Sequence, residues 1–161
     1  MKRIILLLAA LLLSLSAFAQ NGKSIYQKYS DAENVSAVYI SPAMFRLMGR
    51  IPDVETGEGK VNFSTIIRSL SGMYILNSEN PAINDNLRGE AEKFIKSGHY
   101  ELLMEAKDSG ETVRMYTVGT EKVINGFVML AAEAAEVTFI CLDGQMPRDD
   151  FEKLVAEQMA N

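Results

Sequence analysis

The chain changes its rhythm at Tyr100, and that change constrains its fold more than any other feature. Before Tyr100, apolar residues recur mainly at helical spacing. After it they mostly alternate. Residues 100–106 and 112–118 flank KDSGE at 107–111, the pattern of a β-hairpin with a glycine-containing turn. Residues 123–132 and 136–142 read as a further pair of strands. Four strands in succession favour an antiparallel meander. A chain that builds one must cover at least one apolar sheet face with something else.

The earlier half supplies the cover. Residues 35–40 (VSAVYI) are β-branched and aromatic, and read as a strand. Ser41 and Pro42 then form an N-cap and a first helical residue, and Met44, Phe45, Leu47 and Met48 give a short helical stripe. Residues 50–60 (RIPDVETGEGK) are a loop. Phe63, Ile66, Ile67 and Leu70 stand on one helix face, and residues 73–76 (MYIL) form a second strand. Asn80-Pro81 can cap a longer helix whose inner face is Ile83, Leu87, Ala91, Phe94 and Ile95, closed by Gly98. Asp143-Gly144 is expected to end the last strand. A final helix follows over 147–158, with Phe151 facing inward and Asp149 and Asp150 near its positive end. The expected fold is α+β: a mostly antiparallel sheet, built from a β-α-β crossover followed by a four-strand meander, with helices packed on one face. A parallel crossover at the start would be right-handed.

The first nineteen residues do not belong to that fold. Lys2 and Arg3 precede an apolar run over 4–13, and Ala17-Phe18-Ala19 stands before Gln20. A charged start, a short apolar stretch and an A-x-A site make a secretory signal peptide cleaved between Ala19 and Gln20. The run is shorter than the ~20 residues that cross a bilayer as a helix. The expected organisation is a signal peptide over 1–19, a polar and loosely ordered segment over 20–34 that can form a short helix around Ile25, Tyr26 and Tyr29, and one α+β domain over 35–161. The expected location is periplasmic or secreted, with no stable membrane span once the leader is removed.

Charge and composition narrow the function classes. Removing Lys2 and Arg3 takes the 16 basic residues to 14 against 21 acidic ones, a net charge of −7. An acidic chain with no basic cluster is a poor partner for nucleic acid. Cys141 is the single cysteine and lies in an apolar strand, so it reads as a core residue that forms no disulfide within the chain. His99 is the single histidine, at a helix-to-strand junction. One histidine and one cysteine 42 positions apart give no zinc-ligand pattern.

The remaining candidates are weak. Asp53, Glu55 and Glu58, in a glycine-containing loop, could offer oxygen ligands to calcium but lack the EF-hand spacing. Gly57-Glu58-Gly59-Lys60 lacks the glycine and the hydroxyl residue that a phosphate loop needs at its ends. Carboxylates such as Glu133 and Glu136 could serve glycosidase chemistry only if their separation suited it. Met44, Met48, Met73, Met104, Met115, Met129, Met146 and Met159 lie mostly on apolar faces, where methionine fills gaps or adapts to a partner.

Several stretches also recur together in one order: residues 35–48 (VSAVYISPAMFRLM), 74–79 (YILNSE), 100–104 (YELLM) and 127–130 (FVML), with Leu142-Asp143-Gly144 after them. In this the chain resembles the domain-of-unknown-function 4252 family of secreted bacterial envelope proteins. The resemblance implies an exported bacterial protein and brings with it no activity, cofactor or site residue. The expectation is therefore an exported envelope protein of the binding or interaction kind. It would need no cofactor, and an envelope protein would dock on an exposed sheet edge or on the methionine-bearing helices. The alternatives are a carboxylate hydrolase, or small-ligand or calcium binding through residues 53–58.

Overall fold

The structure, a computed structural model, describes residues 21–48 and 63–159. The elements in chain order are α1 (Gly22–Tyr29), β1 (Val35–Ile40), α2 (Pro42–Met48), α3 (Phe63–Ser69), β2 (Leu70–Ser78), α4 (Pro81–Ser97), β3 (Glu101–Asp108), β4 (Glu111–Gly119), β5 (Val123–Ala132), β6 (Val137–Pro147) and α5 (Arg148–Met159). The six strands form one sheet in the order β1-β2-β6-β5-β4-β3, and every neighbouring pair is antiparallel.

The meander β3-β4-β5-β6 is the one that the alternating residues predicted. The parallel crossover is corrected. β1 pairs antiparallel with β2, Val35 opposite Ser78 and Ile40 opposite Met73. Two short helices, α2 and α3, stand between these strands, so the chain goes out and comes back before it re-enters the sheet. β2 then lies between β1 and β6, which joins the early strands to the meander.

One face of the sheet carries the main core. Paired residues on neighbouring strands point to the same side, so Leu76, Phe139 and Leu130 form one row on it. Tyr74, Cys141 and Val128 form the next. α1 and α4 cover these rows with Ile25, Leu87, Ala91, Phe94 and Ile95. α4 is set by its ends: the Asn80 side chain accepts from the Ala82 N–H, Pro81 opens the first turn, and Gly98 closes the last.

Residues 21–34, the described part of the polar segment over 20–34, pack on the domain. Asn21 and Ser24 bond reciprocally in a capping box, and this fixes the start of α1. The amphipathic spacing then places Ile25 and Tyr29 in the core, Ile25 fully buried. Lys28 on α1 pairs with Glu90 on α4, which ties the two helices together at the surface.

A second, smaller cluster lies at one end of the sheet. It joins Ile66 of α3, Ile124, Met146 and Phe151 of α5, with Leu70 and Phe127 packed against it. β6 does not stop at Asp143-Gly144, because Leu70 of β2 pairs with Gly144 and Val123 of β5 pairs with Pro147. Two partners sustain the strand past the point where its own residues lose β-propensity.

Candidate functional site

Two features remain once the core is accounted for. The first is a polar cleft of about 760 Å³ at the end of the sheet, lined by Ser69, Ser71, Asn125, Asp143, Gly144 and Gln145. Strand irregularities build it. On one side of β6, Ser71 of β2 is left over between the pairs Leu70–Gly144 and Gly72–Asp143. On the other side, Gly144 and Gln145 stand against the single Asn125 of β5. Bulges of this kind re-aim side chains and cluster near functional surfaces. Here they gather four polar residues around one carboxyl.

Asp143 lies between two glycines, Gly72 on β2 and Gly126 on β5. A Cβ at Gly72 would meet the Tyr74 hydroxyl at 2.7 Å, and one at Gly126 the Tyr100 hydroxyl at 2.6 Å. The two phenols therefore lie over the glycines on either side of Asp143. The Cys141 thiol donates to Asp143 Oδ1 at 3.7 Å. Burial raises the Asp143 pKa, and the bond from Cys141 opposes the rise. Tyr74 is pushed up to about 12, chiefly by burial and then by the Asp143 charge. Tyr100 is raised chiefly by burial, then by Cys141 and by the Asp143 charge.

The chemistry of this cluster is limited. Burial, then the Asp143 charge, raises the Cys141 thiol far from thiolate formation, so it has no nucleophilic character at neutral pH. His99 stands in a left-handed turn between α4 and β3, with φ of 55°, and is exposed. It does not line the cleft. Glu133 and Glu136 close the β5-β6 turn, where the Glu133 N–H donates to the Glu136 carbonyl at 2.9 Å. Asp143 is the one acid of the cleft among the described residues, whereas glycoside hydrolysis uses two. Among the described residues no group of three or more His, Cys, Asp or Glu could hold a metal. Asp53, Glu55 and Glu58, and the cleavage pair Ala19-Gln20, lie outside the described residues.

Asp143 gives a test of these electrostatics. Its folded pKa is raised above the unfolded value near ~4, so the native state holds the proton to higher pH than the unfolded chain does. Its contribution is fully present below the unfolded pKa and is lost as pH rises through the folded one. Asp143→Asn removes that dependence. The variant is expected to be more stable than the parent at neutral pH, with the gap closing on acidification below pH ~4. Urea titrations of both chains at several pH values measure it, and a gap independent of pH contradicts it.

The second feature is the sheet face opposite α1 and α4. Register places Val38, Ile75, Ile140, Met129, Met115 and Met104 in one row across all six strands. A parallel row holds Ser36, Asn77, Thr138, Ala131, Val113 and Ala106. A third holds Ile40, Met73, Leu142, Phe127, Thr117 and Glu101. Of these eighteen residues only Glu101, on the edge strand β3, is charged, although 23% of the chain is. α5 reaches the third row, where Phe151 packs on Phe127 with ring centres 5.5 Å apart. In the first row every residue is half-buried or exposed.

The contrast with the other face is instructive. Where α4 no longer covers β3 and β4, the helical side of the sheet carries charges. Arg114 Nε bonds Glu105 at 2.7 Å, Lys107 pairs with Glu105 at 2.8 Å, and Glu92 lies 3.8 Å from Arg114. Solvent-facing sheet in this protein can thus be charged, whereas the charges of the opposite face stand at the ends of β3 and the start of β4, at Glu101 and the pair Asp108–Glu111, away from its centre. Met104, Met115 and Met129 lie on strands, as the alternation predicted, and are cross-strand neighbours on β3, β4 and β5. Met44 on α2 is exposed, and Met146 is fully buried. Among the described residues, no helix is long and apolar enough to cross a membrane.

Alternation on β3 to β6 could have revealed the uncharged row. The register that aligns it with β1 and β2 could not be read from spacing. No curated protein and no solved structure matches the chain. The family model described as "Domain of unknown function (DUF4252)" matches residues 29–154, from the end of α1 into α5, and the chain belongs to that family.

Proposed function

We propose that this protein is an exported bacterial envelope component that acts by binding, through the sheet face opposite α1 and α4, and that it catalyses no reaction. The observation that carries this reading is the row Val38, Ile75, Ile140, Met129, Met115 and Met104, uncharged and unburied by any described helix. Contiguous apolar surface of this extent marks interaction sites on soluble proteins. Methionine suits it because its flexible thioether adapts to a partner's shape. Export is supported by residues 1–19, whose charged start, apolar run and Ala17-Phe18-Ala19 fit a cleaved leader.

The test has two parts. Protein recovered from the envelope fraction of a bacterium expressing the full chain is expected to begin at Gln20. The folded mature chain is expected to bind an apolar fluorescent dye with saturation, and Met129→Lys is expected to lower that binding at least several-fold while the far-ultraviolet spectrum stays the same. An intact leader, or dye binding unaffected by Met129→Lys, would overturn the corresponding half of the reading.

A second reading rests on the cleft. Asp143, Ser71, Asn125 and Gln145 could hold a small polar ligand, and a hydrolase using Asp143 would need a second acid from outside the described cleft residues. Asp143→Asn would abolish such binding or turnover, while leaving dye binding on the open face unchanged.

A further inference from the structure

We infer that the open sheet face is covered by a second copy of this chain, packed sheet on sheet about a two-fold axis. This deepens the binding reading above and rests on it.

Three observations choose this occupant. The first is chemical. A partner with charged side chains would bury them against rows whose one charged position is Glu101, on the edge strand β3, and so without a counter-charge over most of the face, at considerable cost. The same face of a second copy brings only Glu101, at its edge. The acidic chain repels its own kind over most of its surface, but its charges are kept off the centre of this face.

The second observation is geometric. An isologous contact requires one patch to match itself. In the sheet order β1-β2-β6-β5-β4-β3 the centre falls between β6 and β5, where Ile140 and Met129 stand side by side. A two-fold axis there brings each central residue over the centre of its copy. It brings the aliphatic end of the row (Val38, Ile75) towards the methionine end (Met115, Met104) when the strands are roughly aligned. Aligned sheets pack about 10 Å apart with their side chains interleaved. Flexible methionines opposite stiff β-branched residues suit that interleaving.

The third observation is size. Six strands at ~4.8 Å spacing and four to five residues at ~3.4 Å rise give a face of roughly 24 by 15 Å in plan. Side-chain relief enlarges the accessible area beyond this plan of roughly 360 Å², and leaves the face smaller than the roughly 800 Å² per partner of standard interfaces. Weak and transient complexes occupy this end of the size range, so the dimer is expected to dissociate at micromolar concentrations. The polar row Ser36, Asn77 and Thr138 forms one rim, where Thr138 Oγ1 bonds Asn77 Oδ1 at 3.3 Å. α5 bounds the opposite side at Phe127.

The experiment is sedimentation velocity on the mature chain from about 1 to 300 μM, a span centred on the micromolar range expected for a small interface. The expected result is a concentration-dependent shift from monomer to dimer. Met129→Lys and, separately, Met115→Lys are expected to abolish the shift, with unfolding still cooperative. Leu102→Glu, on the exposed edge strand β3, is expected to leave the dimer intact. Met129→Gln keeps an unbranched neutral side chain, and is expected to raise the dissociation constant about tenfold if either lysine variant fails to fold. A dimer lost in Leu102→Glu and kept in Met129→Lys would overturn the inference in favour of edge pairing. A chain monomeric at 300 μM would overturn it outright. If that monomer still binds the dye through Met129, the binding reading survives with a different occupant. If it does not, both fall.

Discussion

Phe139→Ala is expected to remove about 3–5 kcal/mol of folding stability, the largest single loss in the molecule. Phe139 is 0% exposed at the centre of β6, flanked by Leu76 on β2 and Leu130 on β5. Its ring meets Phe94 of α4 edge-on, with centres 6.5 Å apart. It is therefore the residue through which the helical layer and the central strands share a core. Truncation removes the transfer free energy of the ring and leaves a cavity that two central strands and a capped helix cannot collapse around. Domains of this size have total stabilities of about 5–15 kcal/mol, so the variant will be marginal. Equilibrium urea unfolding should show a midpoint far below that of the parent, with an unchanged slope. Met115→Ala is the matched comparison. Its side chain lies on the other face, only half-buried, and its loss should be below about 1.5 kcal/mol, since little apolar area leaves water there in the monomer. Equal losses at the two positions would mean that the open face is packed within the single chain, which would remove the basis for a binding surface.

The comparison of these two residues shows what could be read from the sequence. Phe139 and Met115 both sit in alternating runs, and the period-two pattern identifies each as a strand residue. It does not say which face has a helical cover. That depends on register and on where the helices pack, which are long-range facts. The helices themselves were legible because their ends carry local chemistry: Asn80-Pro81 and Gly98 mark α4 to the residue. The Asn21–Ser24 capping box of α1 is equally local, and the polarity around it obscured how firmly Ile25 and Tyr29 join the helix to the core. The direction of β2 relative to β1 was not legible, since α2 and α3 have no feature that fixes the handedness or direction of their connection.

The cleft was hidden for a related reason. Asp143-Gly144 has the composition of a strand end, and only the partners on both sides carry β6 through it. Glycines 72, 126 and 144 are scattered through the chain and become meaningful only when register places them around Asp143, with Gly72 beneath the ring of Tyr74, Gly126 beneath that of Tyr100 and Gly144 against the backbone of Ser69 and Leu70. A buried carboxyl is informative because its desolvation must be tolerated. Here the bond from the Cys141 thiol offsets part of that cost.

Gly144→Ala is the sharpest test of this local architecture, and is expected to destabilise the fold by about 1–3 kcal/mol. A Cβ on Gly144 would lie 2.5 Å from the Ser69 carbonyl oxygen and 2.9 Å from the Leu70 Cα. Both are backbone atoms, so no side chain can turn aside to make room. The conflict can be relieved only if the start of β2 moves off β6, where Leu70 pairs with Gly144 and the bulge at Ser71 begins. That movement would also draw α3 and Ile66 away from Ile124, Met146 and Phe151. The loss should therefore be confined to one end of the sheet. Amide exchange is expected to speed up at residues 70–73 and 143–146 and to remain slow at Leu76, Val128 and Phe139. Gly89→Ala supplies the opposite sign. Gly89 lies within α4 with no atom in reach of an added Cβ, so the methyl meets nothing and helix propensity improves by about 0.5–1 kcal/mol. Two identical Gly→Ala substitutions should thus shift the unfolding midpoint in opposite directions. If both stabilise, β2 and β6 are farther apart at Gly144 than the bulge requires, and the cleft around Asp143 loses its rigid frame.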